Sequence, residues 1–470
     1  MKGIDSAGGI IMACTVLHKL IDDNIAMPAV CGGAGICGKC KFYIDGMLCL
    51  ACQTEYTPGM KIDLISKIRE DFSILTGISD RINIDDEVSF NFAVDVGTTT
   101  IAFALTGGKS GKTVFNYGIV NSQRKYGADV ISRIKASNEG NLNDLNHCVT
   151  RDIDEGIKYI LEQCGISAAK INKVAISGNT AMLHILLKVD CRSLGQYPFD
   201  PVFIDKQERT YNEIFYSNIL SCEVVLLPGI STYVGSDVVA GISYGIDLGS
   251  EGLLIDLGTN GEIALFSKHG VIGTATAAGP AFEAGNISCG VGSIPGAIYE
   301  AKYKNKSFEY KTIGDCTPIG ICGSGVIDIT AQLVLNGYID ETGVMQEDFE
   351  VAENIFFTKK DVRELQLAKS AVRAGIEVLL SESGKTYNDI GNIYLAGGFG
   401  HRLNPKSAII LGILPEEWRK KVKAIGNSSL AGCIKYLYDE SDFDFIKNAR
   451  EINLSVHPDF NDLFMEYMMF

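Results

Sequence analysis

At 470 residues the chain is too long for one hydrophobic core, so two to four domains are expected. Its 46% apolar and 21% charged residues are ordinary for a folded chain, and a formal net charge of −15 weighs against nucleic acid or an anionic membrane as the main partner. That charge leaves nucleotides open, because backbone amides, helix ends and a metal hold them. No secretory leader and no run of 18 apolar residues is read, so a cytoplasmic chain with no membrane helix is expected.

The first predicted element is a helix over roughly residues 11–23, ending near Asn24. Only about ten residues precede it, too few for a full opening hairpin. Six of the fourteen cysteines lie in the first 52 residues, and the other eight are scattered and read as small buried hydrophobes. Four of the six run Cys31-x5-Cys37-x2-Cys40-x11-Cys52. A [2Fe–2S] cluster needs four converging thiolates, and Gly32, Gly33, Gly35 and Gly38 let the first loop wrap closely around one. Residues 42–44 then read as a strand, Asp45-Gly46 as a turn and residues 47–51 as the return strand that delivers Cys52. Cys49 is the alternative fourth ligand, on the opposite face of that strand.

This spacing resembles the plant-type ferredoxin loop, with the shorter last gap of the ferredoxin domains of succinate dehydrogenases and molybdenum hydroxylases. Within it, Gly33 to Gly38 also spells G-x-G-x-x-G. No βαβ unit with a following acidic residue surrounds it, so a dinucleotide site is rejected.

Residues 66–90 are polar with weak periodicity and read as a linker. Beyond them an apolar strand reaches Asp95, followed by Gly97-Thr98-Thr99-Thr100 and a second apolar strand. Such a hairpin turns amides and hydroxyls toward a phosphate and sets a carboxylate beside its metal. The same text returns 161 residues later at Asp256-Leu-Gly258-Thr259-Asn260-Gly261-Glu262. Between them, residues 106–113 come one glycine short of a P-loop but lead into a strand, so they read as a hairpin turn. Ser324, set between glycines 323 and 325 before a helix over 326–335, is a candidate phosphate contact. Cys322 beside it reads as a structural thiol, and His184 and His401 as core or surface residues. Arg363, Glu364 and Lys369 recur at one-turn spacing and read as a surface ion-pair face.

The paired D-x-G-T turns, with the glycine-rich junction Gly397-Gly398-Phe-Gly400, resemble the actin, sugar-kinase and heat-shock chaperone superfamily. That resemblance implies an α/β fold of duplicated actin-like (ribonuclease H-like) halves, with adenosine beside Gly397, Gly398 and Gly400. The further series Tyr126-Gly-Ala-Asp129, Ser177-Gly178-Asn179-Thr180, Gly235-Ser-Asp237, Gly279-Pro280-Ala-Phe282-Glu283 and Asp361-Val-Arg363-Glu364, together with the cysteine loop, resembles the reductive activators of corrinoid proteins.

The domains expected are then an abbreviated β-grasp [2Fe–2S] ferredoxin-like domain (1–65), a linker (66–90) and two ATPase halves (91–249 and 250–470). The implied cofactors are a [2Fe–2S] cluster, ATP and Mg2+. The implied partners are a corrinoid methyl-carrier protein and a low-potential electron donor in an anaerobic setting, with a homodimer left open. Asp95 and Asp256 would organise the metal, and Gly97, Thr98, Thr99, Thr100, Gly258, Thr259 and Asn260 the phosphates. Either Glu262 or Asp237 would position the attacking water. Other readings stay open: a metabolite kinase of the same fold with a regulatory cluster, a non-catalytic actin relative, or an activator of 2-hydroxyacyl-CoA dehydratases.

Overall fold

The computed structural model describes residues 3–4, 10–11, 15–23, 40–44, 47–64, 87–244, 251–258, 260–267, 269–397, 403–440 and 443–470. Near the start, β1 (Gly3–Ile4) pairs antiparallel with β2 (Ile10–Ile11), and α1 spans Val16–Asp22. The two-residue strands make a short opening of the kind the few preceding residues allow, and the helix begins five residues later than the sequence expectation. The β-branched Ile10 and Ile11 go into the ladder, and the Thr15 hydroxyl accepts from the His18 amide at 3.3 Å, which starts the helix after Thr15.

A three-stranded sheet follows, with β3 (Lys41–Ile44) between β4 (Met47–Leu50) and β5 (Asp63–Leu64), both antiparallel to it. Val16, Leu17 and Leu20 of α1 pack on Cys40, Phe42 and Ala51. The first helical amides find partners outside the helix, Val16 on the Thr54 carbonyl at 2.8 Å and Leu17 on the Ala51 carbonyl at 2.9 Å.

The body begins with the meander β6 (Phe90–Val96), β7 (Thr100–Gly107) and β8 (Thr113–Val120). Then come α2 (Val130–Ala136), α3 (Leu142–Cys164), β9 (Ile171–Gly178), α4 (Thr180–Leu186), β10 (Gln207–Thr210), α5 (Tyr211–Phe215), β11 (Glu223–Leu226) and α6 (Ser236–Ser243). The sheet order is β10-β11-β9-β6-β7-β8, with β9 parallel to β6. The near-P-loop text is the turn between β7 and β8. Its Lys109 and Ser110 amides are taken by the buried Glu87 carboxylate at 3.1 and 3.2 Å, so residues 87–90, expected as linker, belong to this half.

The second half repeats the plan with β12 (Gly252–Leu257), β13 (Gly261–Ser267) and β14 (Gly270–Thr276). A smaller sheet of β15 (Ala297–Lys304), β16 (Ser307–Thr312) and β17 (Gly320–Ile321) leads into α7 (Gly323–Leu335). The chain continues through β18 (Phe349–Ala352), β19 (Ile355–Phe357), α8 (Lys359–Ser383), β20 (Asn392–Ala396), α9 (Pro405–Ile410), β21 (Val422–Gly426), α10 (Ser428–Asp439), β22 (Arg450–Glu451) and α11 (Phe460–Glu466). The sheet order β21-β20-β12-β13-β14-β22, with β20 parallel to β12, reproduces the order β11-β9-β6-β7-β8 of the first half. Two copies of one topology confirm a duplicated α/β body.

Side-chain size decides what covers each face of the first sheet. Phe90, Phe92, Val94 and Phe103 face α3, whose Leu145, Val149, Ile153, Ile157 and Ile160 recur at helical spacing. Gly156 is required there, because a Cβ would sit 2.5 Å from the Phe103 ring. Ala93, Ala102, Ala104 and Ala175 line the other face, and α10 lies on these small side chains through Leu430, Cys433 and Leu437. Helix α10 follows a strand of the second sheet yet covers the first. Helix α6 makes the reciprocal crossing, packing Val238 and Ile242 with Leu254, Ala264 and Phe266. The two helices meet at backbone distance, where a Cβ on Gly432 would lie 2.1 Å from the Ala240 carbonyl oxygen. The expected boundary between the halves falls in residues 245–250, outside those described.

Lys369 departs from the sequence expectation. It is buried, donates to the Met469 carbonyl and lies 4.9 Å from the centre of the Phe470 ring. Only Arg363 of the expected ion-pair face is exposed; half-buried Glu364 accepts from Asn286 at 3.2 Å. Packing of α11 and the final residues onto α8 covers this face. Among the described residues no helix is long and apolar enough to cross a membrane.

Candidate functional site

Two matching turns face the gap between the sheets. In the first, between β6 and β7, three successive carbonyls are held from behind. Asn121 donates through its side chain to Gly97 O at 2.9 Å and through its backbone to Thr99 O at 2.9 Å, and Arg133 donates to Thr98 O. What the turn has left to offer a ligand is N–H groups and the hydroxyls of Thr98, Thr99 and Thr100, of which Thr99 is exposed. In the second turn Gly258 N donates to Asn260 O at 3.0 Å. Thr259 lies outside the described residues.

Asp95 and Asp256 occupy equivalent places near the ends of β6 and β12, and Asp256 stands directly opposite Glu262 across the β12–β13 ladder. Asp237 enters from the first turn of α6. All four of these residues are half-buried. Burial raises every one of them above the usual carboxylate range. Asp95 adds its repulsion to Asp237, and Asp237, Asp95 and Glu283 add theirs to Asp256, which is pushed up to about 8. Glu262 is raised further by Asp237 and Asp256, with relief from the Asn260 side chain. Asn260, expected on the phosphates, therefore supports Glu262. Like charges opposed in this way are costly unless a cation or proton intervenes.

The chemistry of this donor set fits a hard divalent cation. Among the described residues no three His, Cys, Asp or Glu side chains close on one point tightly enough to hold an ion alone. Mg2+ suits such a site, since it takes one or two carboxylates and completes its shell with phosphate oxygens and water.

Gly397, at the end of β20, has φ +104° and lies so near Asp256 that a Cβ would stand 2.9 Å from its carboxylate oxygen. Its amide donates to Gly426 O at 3.1 Å. Gly398 and Gly400 lie outside the described residues, as does His401. Ser324, expected as a phosphate contact, is turned into the core with its hydroxyl 3.3 Å from the Cys322 sulfur. Gly323 is needed for packing, because a Cβ there would meet the Phe282 carbonyl oxygen at 1.7 Å. Cys322 is buried and directed at the Ile298 carbonyl. His184 is also structural: its Nδ1 contacts Thr180 O at 2.8 Å and its Nε2 accepts from Val202 N at 3.1 Å.

Sequence reasoning did not single out Asn121, Glu283 as a charge on Asp256, or two residues at the start of α10. Asn427 and Ser429 donate to the two oxygens of Asp95, each at 2.8 Å. The signal for them was Gly426-Asn427 before an amphipathic run, which reads as a helix cap.

Of the four predicted cluster ligands, Cys31 and Cys37 lie outside the described residues. Cys40 is buried, Cys52 is half-buried, and the Cys52 amide donates to the Cys40 sulfur at 3.4 Å. An N–H aimed at a cysteine sulfur is what a cluster thiolate requires, so these two residues fit the group. Cys49 sits within β4 opposite Phe42.

Comparison with known proteins covers most of the chain. Residues 90–248 match the family model described as the RACo middle region, and residues 251–470 the one described as the C-terminal domain of RACo, the ASKHA domain. The corrinoid activation enzyme RamQ of Eubacterium limosum is 29% identical over 425 residues, covering 83% of this chain and 71% of that protein. The [Co(II) methylated amine-specific corrinoid protein] reductase of Methanosarcina barkeri is 28% identical over 335 residues, which are 64% of this chain and 62% of that relative. A solved structure described as a reductive activator for corrinoid, iron-sulfur protein superposes with a TM-score of 0.74 at 26% identity, covering 98% of this chain and 96% of that one.

Proposed function

The chain belongs to the family of reductive activators of corrinoid proteins, and from that premise we propose that it restores cobalt(II) of a corrinoid methyl carrier to cobalt(I), one electron at a time, at the expense of ATP. The observation that carries the ATP part is the pair of turns at Asp95 and Asp256, equivalent in two copies of one fold and close enough to repel each other.

In this reading residues 1–65 form a ferredoxin-like domain, and Cys31, Cys37, Cys40 and Cys52 hold a [2Fe–2S] cluster. Such a cluster supplies single electrons near about −400 mV. The 91–249 and 250–470 halves form the nucleotide cleft. Asp95 and Asp256 hold Mg2+ through part of its shell, while the Gly97–Thr100 and Gly258–Asn260 turns take phosphate oxygens on their N–H and hydroxyl groups. The Gly397 turn, with Gly398 and Gly400, borders the adenosine. Glu262 or Asp237 orients the attacking water, and the raised affinity of both for protons suits a group that accepts one.

A carrier whose cobalt couple lies below that of the donor takes the electron only in a complex that favours the reduced state. A ligand shifts such a balance only by its differential affinity. A difference of about 5.5 kcal/mol corresponds to roughly 240 mV for a one-electron couple. Closure of the two halves over ATP, pivoting where α6 and α10 touch, is the proposed source. The test is anaerobic incubation of the reconstituted protein with a cobalt(II) corrinoid protein, reductant and ATP. The cobalt(I) absorption should grow with ATP and stay flat without it; equal spectra in both arms sink the proposal.

A further inference from the structure

Asp95 belongs to the first half, yet both of its oxygens are held by a helix that enters from the second. Asn427 Nδ2 donates to Oδ2 at 2.8 Å and Ser429 Oγ to Oδ1 at 2.8 Å. The orientation of the Asn427 amide is fixed by a second contact. Asn427 Oδ1 caps α10 by accepting from Leu430 N at 2.8 Å, which leaves the NH2 group pointing at Asp95. Ser429 spends its one proton on Asp95, so at its 2.7 Å contact with Ser177 Oγ it is the acceptor. Ser177, in turn, accepts from the buried Cys433 thiol at 3.0 Å. The chain of donors therefore runs one way, from Cys433 through Ser177 and Ser429, and ends on the carboxylate. Two donors from one helix start fix the orientation of the Asp95 carboxylate, one on each oxygen.

The same helix start is tied to the far end of the cleft. Gly426, immediately before Asn427, accepts from the amide of Gly397, the turn that also abuts Asp256. One short stretch, residues 426–429, thus touches the turn at the end of β20 on one side and Asp95 on the other.

We propose that Asn427 and Ser429 are positioning residues of the nucleotide site. They hold the Asp95 carboxylate in one orientation, and link its placement to the Gly397 turn of the opposite half. The proposal rests on the reading of this cleft as an ATP site. Neither residue needs to touch nucleotide, so their loss should spare nucleotide affinity while weakening the metal and slowing hydrolysis.

The test uses the full reconstituted protein and three variants. Ser429→Ala removes one donor, Ser429→Thr keeps the hydroxyl, and Asn427→Asp keeps the helix cap while setting a second carboxylate against Asp95. Phosphate release with a cobalt(II) corrinoid partner should fall about tenfold or more in Ser429→Ala and further in Asn427→Asp. The Mn2+ affinity of the nucleotide complex, read by EPR, should weaken at least threefold in both. Fluorescent ATP-analogue affinity measured without divalent metal should stay within twofold, and Ser429→Thr should recover most of the rate. The proposal is overturned if Ser429→Ala keeps wild-type Mn2+ affinity, or if analogue affinity and melting temperature fall together with it. A wild-type protein that releases no phosphate with any partner defeats the ATPase reading instead, and the Mn2+ comparison still decides the role of these residues.

Discussion

Arg133 donates to the carbonyl oxygen of Thr98, so a fully buried guanidinium on α2 supports the turn between β6 and β7 from behind. It also donates to Gly127 O at 3.1 Å and to Gln123 Oε1 at 3.3 Å. Burial draws its pKa down to about 9, with Asp129 opposing that shift. A charge kept there without an ion-paired carboxylate is expensive, and what it secures is the shape of the turn.

Arg133→Met should therefore cost about 2–3 kcal/mol of stability by leaving buried carbonyls unpaired. It should also weaken ATP binding roughly tenfold, because Thr98 and its neighbours lose their backing. Arg133→Lys should not rescue, since an ammonium cannot serve Thr98, Gly127 and Gln123 at once. Urea unfolding and an ATP titration check this. Unchanged affinity would mean that the turn holds its shape through Asn121 alone.

The cysteines separate in a second set of variants. Cys52→Ser should abolish or badly distort the cluster spectrum of reconstituted protein, and Cys49→Ser should leave it nearly intact. The reverse pattern would make Cys49 the fourth ligand. Asp256→Asn should stop nucleotide turnover with the cluster spectrum unchanged, as the proposed division into a ferredoxin-like domain and an ATPase body requires. Iron and sulfide analysis, expected to give two of each per chain, reads the cluster in all three variants, and phosphate release reads turnover in Asp256→Asn.

The duplicated body was legible because each half announces itself by the same text, a strand, D-x-G-T and a strand, and those hairpins are local structures. What was not legible lies between distant elements. Nothing near Asp95 in sequence says that Asn427 will hold it, since that contact depends on α10 crossing to the other sheet. Ser324 misled for the same reason: glycines before a helix read as a phosphate cradle, whereas here they allow α7 to pack on the Phe282 carbonyl. At the start of the chain, Ile10 and Ile11 fit a helical pattern as well as a strand, and only pairing with Gly3 and Ile4 decides between them.

Lys369 gives a prediction in pH. Burial, with Arg373 nearby, lowers its pKa from 10.5 to about 8 in the folded protein. Between those values the unfolded chain binds a proton that the folded one has released, so this group makes stability rise with pH. Below about pH 8 the full cost of burying the charge is present. Replacing it by Met removes the slope. Unfolding free energies at pH 7 and pH 9.5 should show wild type gaining on Lys369→Met as pH rises, and parallel profiles would mean the ammonium is well solvated.

The last prediction concerns coupling between nucleotide and partner. An ATPase that hydrolyses nucleotide with no partner bound is futile, so phosphate release should be slow for the protein alone. It should rise when a cobalt(II) corrinoid protein is added, because the complex favours closure of the two halves. Linkage then fixes the converse. If the partner raises ATP affinity by some factor, ATP must raise partner affinity by the same factor, since both describe one cycle. The motive is the joining, in one chain, of a cysteine loop suited to a one-electron carrier and a cleft with paired carboxylates from two halves. Partner affinity should be measured with and without a non-hydrolysable ATP analogue, and analogue affinity with and without partner. Equal factors well above one support the activator reading. If neither affinity moves for any corrinoid protein while a small hydroxylated metabolite stimulates turnover, the cleft is that of a kinase.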